Sequence, residues 1–137
     1  MSSGIDCILA KIKRKDNGKY RHISKIITME RANGNLNSYK GDHQPVGFYS
    51  GKNISFTKQK IKVDKNDMIY IFSDGYQDQF GGEKNKKYMF SRLKKLLIKV
   101  SNEDVNQQLN LIESEFNSWK GDNEQIDDVC LMGLRIT

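Results

Sequence analysis

The chain has 137 residues, 36% hydrophobic and 29% charged, which leaves room for one sizeable core rather than two. Six Phe, six Tyr and one Trp argue against a disordered chain. No apolar run nears the roughly 20 residues that a bilayer crossing takes, so no membrane insertion is expected.

The short apolar stretch of residues 7–10 precedes its charges rather than following them, the wrong order for a signal peptide. Cys7 and Cys130 each lie in an apolar run, too far apart for a CxxC site. They read as reduced core cysteines of a cytoplasmic protein. The net charge of +6 is uneven. Seven Lys/Arg fall between Lys84 and Lys99, whereas residues 101–128 hold eight acids and one base, Lys120. Such a basic run reads first as a solvated helix face. With no zinc-finger spacing and no RNA-binding aromatic motif, nucleic acid is not the expected partner.

In chain order, residues 7–12 read as a strand, Asp16-Asn17-Gly18 as a turn, and residues 20–30 as a second strand carrying Ile23, Ile26 and Ile27. Asn33-Gly34 is a second hairpin signal before residues 36–40. The three strands together suggest an antiparallel meander. Residues 41–52 form an irregular loop with the only proline, Pro45. Ile54, Phe56, Ile61 and Val63 alternate roughly as one interrupted strand. Residues 68–72, Met-Ile-Tyr-Ile-Phe, are continuously apolar and predict a central strand covered on both faces.

Residues 76–87 read as a loop with Gly81-Gly82 and a basic tail. Two helices follow. Phe90, Leu93, Leu97 and Val100 mark one apolar stripe, and Val105, Leu109, Ile112, Phe116 and Trp119 the other. Ser101 or Asn102 is the expected cap of the second helix, with Glu103 and Asp104 in its first turn and Gly121 at its end. A last strand spans residues 129–136. Strands, then two helices, then one strand make an α+β fold in a single domain covering residues 1–137.

Only two histidines exist, His22 and His43, neither beside a plausible nucleophile, and there is no GxSxG, P-loop or GxGxxG segment. Carboxylates at strand ends remain. Asp74 follows the most apolar strand and precedes Gly75, which permits close backbone approach. That setting suits an oxygen-preferring cation such as Mg²⁺ or Mn²⁺. Asp78 reaches the same place if the intervening residues turn helically. Asp127-Asp128, before the last strand, repel one another unless solvated or neutralised by a cation. Taken singly, Asp-Gly after a strand is a turn, and Asp-Asp before one is a solvated cap.

Taken together the words are more specific. Residues 68–82, MIYIFSDGYQDQFGG, followed by two helices and Gln125-Ile126-Asp127-Asp128-Val129, resemble the C-terminal half of SpoIIE-like phosphatases, metal-dependent PPM-type (protein phosphatase 2C-like) Ser/Thr phosphatases. Asn33-Gly34, residues 40–47 (KGDHQPVG) and Ser3-Gly4-Ile5-Asp6 resemble upstream segments of that family. The resemblance implies part of an α/β/β/α sandwich around a dinuclear Mn²⁺ or Mg²⁺ centre. It makes Asp74 and Asp127 metal ligands, links Asp78 to a weaker third metal, and leaves Gly75 and Asp128 as supports of the ligands.

Departures from the pattern accompany the matches. The family's first metal motif, of Asp-x-x-Gly-His-Gly type, would lie upstream of Met1, so an incomplete domain is expected. An Ala-Gly-Ala-Asn-Asn segment is here Arg21-His22-Ile23-Ser24-Lys25, and Cys130 stands where a Thr is usual. The resemblance implies a phosphoprotein phosphatase of bacterial signalling. The alternative is a non-catalytic protein-interaction module built on the same fold. An uncovered sheet face and strand edge lead to the further expectation of a homo-oligomer.

Overall fold

The computed structural model describes residues 34–41, 55–57 and 61–137 in full, together with the backbone of four further strands. Those strands are β1 (Gly4–Ile5), β2 (Ile12–Arg14), β3 (Tyr20–His22) and β4 (Lys25–Met29). The expectations for Cys7, the Asp16-Asn17-Gly18 turn and the loop around Pro45 lie outside the described residues. Three more strands follow, β5 (Leu36–Lys40), β6 (Ile61–Lys62) and β7 (Met68–Phe72). Beyond them come α1 (Gly75–Asp78), the β8–β9 hairpin (Phe80–Gly81 with Lys86–Lys87), α2 (Phe90–Val100), α3 (Val105–Lys120) and β10 (Leu131–Arg135).

The main sheet runs β10-β7-β4-β5 with every pair antiparallel. The apolar run 68–72 takes a central place in it, with Phe72 opposite Leu131 on one side and Lys25 on the other. Side chains alternate across a strand. One face of β7 therefore presents Met68, Tyr70 and Phe72, which pack with Leu93, Leu97, Val100, Ile112 and Phe116 of the helices. Burying each large side chain contributes about 1.5–3 kcal/mol, which makes this layer the dominant stabilising contact. The whole is α+β, as the element order predicts.

Several expectations are corrected. The anticipated strand of residues 20–30 is two strands in different sheets, for β3 pairs with β2 while β4 pairs with β5 and β7. The meander is thus two hairpins. Of the interrupted strand, among the described residues only Ile61–Lys62 is in a strand, paired with β1, and Phe56 is 50% exposed. The glycine loop of residues 76–87 is a short helix followed by the β8–β9 hairpin. Asp104, not Ser101 or Asn102, caps α3, accepting from the amides of Asn106 and Gln107 at 2.9 and 3.0 Å. Cys130 is exposed rather than in the core.

The apolar stripe of α3 is also rotated from its expected course. Leu109 is 62% exposed and Val105 50%, while Gln108 is 3% exposed and faces the sheet. Gln108 and Ile112 are one helical turn apart, as are Ile112 and Phe116, so the three share a face. The glutamine is tolerated there because its polar atoms are satisfied. Its Oε1 accepts from the Tyr70 hydroxyl at 2.7 Å, and its Nε2 donates to the Glu103 carbonyl at 2.9 Å. Burial pushes the Tyr70 phenol well above its ordinary range, with Arg135 opposing the shift, so the hydroxyl stays protonated and able to donate.

The helical layer supplies a direct test. Leu93→Ala removes a fully buried side chain and should cost about 2–5 kcal/mol. Leu109→Ala on the exposed flank should stay within about 0.5 kcal/mol of the parent. Urea unfolding midpoints would separate the two. Equal losses would mean that the α3 face is not the one described.

Candidate functional site at the end of the central strand

The ladder between β7 and β10 does not stop at Phe72 and Leu131. Ser73, 2% exposed, continues it. Its amide donates to the Cys130 carbonyl at 2.8 Å. Its hydroxyl donates to the Asp128 carbonyl and accepts from the Cys130 amide, both at 2.9 Å. One small side chain thus ties the segment carrying Asp127 and Asp128 to the residue before Asp74. Ser73 was not singled out from sequence. The available signal was a hydroxyl residue between a wholly apolar strand and an Asp-Gly pair.

Gly75 then lies against this segment. A Cβ at Gly75 would collide with the Asp128 carbonyl oxygen and stand 2.8 Å from the Asp128 carbonyl carbon and 3.3 Å from the Asp127 carbonyl oxygen. The expected close backbone approach is therefore present, with the Asp127-Asp128 backbone as its partner. Asp74 and the Asp127-Asp128 pair accordingly meet at one end of the sheet. Asp127 Oδ1 accepts from the Asp128 amide at 2.9 Å, folding that pair into a local turn. Asp127 is half-buried and Asp128 exposed.

Asp74 stands at the N-terminus of α1, without a side-chain bond to the helix amides. Its carbonyl accepts from the Asp78 amide at 3.0 Å, so Asp78 follows it by one helical turn. The helical turn required for Asp78 to approach the site is present. The Asp78 carboxylate, however, pairs with the Lys87 ammonium at 3.3 Å. Among the described residues, no group of three or more His, Cys, Asp or Glu side chains is placed to hold a metal. The oxygen donors at this strand end suit a hard cation in kind, but the described residues do not complete a ligand set.

Behind α1 the support is polar and aromatic. Gln79 is fully buried, and its Nε2 donates to the carbonyls of Phe80 and Glu124 at 3.0 and 2.9 Å. Its own carbonyl accepts from Trp119 Nε1 at 3.1 Å and from the Tyr88 amide at 2.9 Å. Tyr76 meets Tyr88 edge-on at 5.1 Å between centroids, and its hydroxyl donates to the Ile112 carbonyl at 2.8 Å. Burial holds both phenols above their ordinary range, reinforced by the nearby Glu115. Trp119 is half-buried, and Gly81 and Gly82 pack on it. A Cβ at Gly82 would meet the indole at 2.7 Å.

The site thus rests on a four-stranded antiparallel sheet with a helical pair on one face and acidic residues at the end of an inner strand. The structure is similar to the SiaA-PP2C domain of Pseudomonas aeruginosa, with a TM-score of 0.72 and 20% identity, over 84% of this chain and 44% of that one. That likeness establishes the fold, and this chain spans less than half the length of its neighbour. The chain belongs to the Stage II sporulation protein E (SpoIIE) family, which it matches over residues 22–137. No curated protein matches it.

The Ser73 bridge yields a measurable expectation. Ser73→Ala leaves the Cys130 amide and the Asp128 carbonyl without their partner, at a cost of about 1–3 kcal/mol. Hydrogen exchange at the Cys130 amide should accelerate beyond the change in global unfolding. Unchanged protection there would show that the hydroxyl does not hold the segment.

Proposed function

We propose that this domain is a metal-dependent phosphoserine/phosphothreonine protein phosphatase domain of bacterial signalling, acting in the cytoplasm on a phosphoprotein. The supporting observation is the junction in which Ser73 and Gly75 bring the Asp127-Asp128 backbone against Asp74, within a chain of the SpoIIE family. Asp74 and Asp127 are the residues we assign to hold Mn²⁺ or Mg²⁺. Asp78 borders the site one helical turn away, and Gly75 and Asp128 supply the close backbone contact. A bound divalent cation would supply an activated water and neutralise phosphate oxygens.

Two carboxylates leave most of such a cation's roughly six oxygen positions to water or to other groups. The chain as it stands should therefore turn over substrate weakly or not at all. The second reading is a non-catalytic interaction module. It is favoured by the lack of a three-residue metal group among the described residues. Self-association belongs to either reading. On β10, Met132 and Leu134 are 60% and 50% exposed, and among the described residues that strand pairs only with β7. Exposed apolar side chains at a strand edge are commonly covered by another chain.

Isothermal titration with Mn²⁺ should detect binding that Asp74→Asn and Asp127→Asn each abolish. Hydrolysis of p-nitrophenyl phosphate should be at or near background. No binding by the parent chain would remove the metal-centred reading and leave the interaction module. Sedimentation equilibrium should show a dimer or larger species at micromolar concentration, and Met132→Lys should shift it toward monomer. A parent chain that is already monomeric would refute the self-association.

A further inference from the structure

A basic surface begins beside the candidate site and runs along the β8–β9 hairpin and α2. Lys87, on β9, pairs with Asp78 at 3.3 Å, one turn along α1 from Asp74. The same hairpin carries Lys84 and Lys86, both exposed. Its Gly81-Gly82 pair rests on Trp119, with the Gly82 amide donating to the Trp119 carbonyl at 2.9 Å. The Trp119 ring is in turn covered by the Arg92 guanidinium, 4.4 Å from its centroid. Arg92 opens a stripe on α2, because Lys95 and Lys99 follow at helical spacing on the same side. Lys94, 4.7 Å from the Phe90 ring centroid, points to the other flank and stands apart.

The ridge thus runs from Lys87 through Lys84 and Lys86, across Arg92 on its indole platform, to Lys95 and Lys99. Among the described residues, Lys84, Lys86, Lys95 and Lys99 form no ion pair. Glu83 at the hairpin turn and Asp78 lie within the ridge, and Glu115, which accepts from the Tyr88 hydroxyl at 3.0 Å, borders its middle. The Arg92–Trp119 stack fixes its middle, which lowers the ordering cost of binding there.

We propose that this ridge docks an acidic segment of a partner protein, adjoining the phosphorylated residue presented to the Asp74–Asp127 end. This rests on the phosphatase reading above for what lies at that end. Charge complementarity argues for an acidic polypeptide. The extent of the ridge argues for a short one, since the eight acids of residues 101–128 lie on the elements that follow and repel a long polyanion. Among those acids, Glu124 is held close to α1 through Gln79.

The test is fluorescence anisotropy with a labelled phosphoserine peptide flanked by Glu and Asp, at low and at physiological salt. It is run with and without Mn²⁺ on the whole chain. The same peptide flanked by Lys and a short DNA duplex serve as comparisons. The acidic peptide should bind, and Lys84→Glu, Lys86→Glu and Lys95→Glu combined should weaken it about tenfold or more, with Lys→Gln at the same positions intermediate. The Lys-flanked peptide should not bind. Equal binding of both peptides, affinity unchanged by the combined variant, or tighter binding of the duplex would each overturn the proposal. The readout is separable from the metal site. Docking that survives Asp74→Asn while Mn²⁺ uptake is lost supports the ridge whatever becomes of catalysis. Mn²⁺ uptake with no peptide preference refutes the ridge and leaves the phosphatase reading standing. Circular dichroism of both substituted forms checks that these exposed positions leave the fold intact.

Discussion

The seam between β7 and β10 is the constraint on which the rest of this structure depends. It joins two segments whose closest bonds link positions 55 and 57 apart in the chain. Closing a loop of that length has an entropic cost that grows only logarithmically with its length. The antiparallel ladder from Met68 opposite Arg135 to Phe72 opposite Leu131 offsets it, and Ser73 extends the pairing beyond the last regular pair. Without that extension the Asp127-Asp128 segment would leave the sheet as an ordinary solvated connection. With it, Gly75 is pressed against the segment's carbonyls, and residues from the two ends of a helical excursion share one strand end.

The helical excursion is itself locked to the sheet by a polar knot set within apolar packing. Gln108 accepts from Tyr70 on β7 and donates to the Glu103 carbonyl in the connection between α2 and α3. Arg135 on β10 donates to the carbonyls of Ser101 and Glu103 at 3.0 and 2.6 Å. Apolar contact alone is non-directional and would tolerate sliding of the helices over Met68, Tyr70 and Phe72. These bonds specify one register, since a shifted α3 would leave the buried Tyr70 hydroxyl and the Gln108 amide unsatisfied. The same fixed register holds Trp119 at the far end of α3, where it meets Gly81, Gly82 and Arg92.

What was legible in the sequence follows from the length and regularity of each signal. Residues 68–72 declare a central strand because no polar side chain interrupts them. The two helices declare themselves through repeated apolar spacing. The wording around Asp74 and Asp127 pointed to one strand end, and there the structure presses Gly75 against the Asp127-Asp128 backbone. The rest was lost for physical reasons. A helix as short as Gly75–Asp78 spans barely one turn and shows no periodicity. Gln108 reads as solvent-facing, because nothing local announces that Tyr70, 38 positions away, will satisfy it. Leu109 took its place in the expected stripe for the converse reason. The split of residues 20–30 into β3 and β4 depends on which sheet each half joins, a long-range choice that local propensity does not carry.

Charge explains why the acidic end can coexist with this fold at all. Asp74, Asp127 and Asp128 come together through backbone bonds, so their proximity is imposed by the sheet and not selected by their own attraction. Like charges held this way raise the free energy of the folded state unless solvent or cations offset them. Among the described residues, the Lys87 ammonium sits on Asp78 at the margin, and further lysines lie along the hairpin and α2. An exposed pair such as Lys87–Asp78 contributes little by itself. Its location is what matters, because it holds the carboxylate one helical turn along α1 from Asp74. Among the described residues, the lysines of the hairpin and of α2 therefore line the margin of the junction, and the Lys87–Asp78 pair marks where that margin begins.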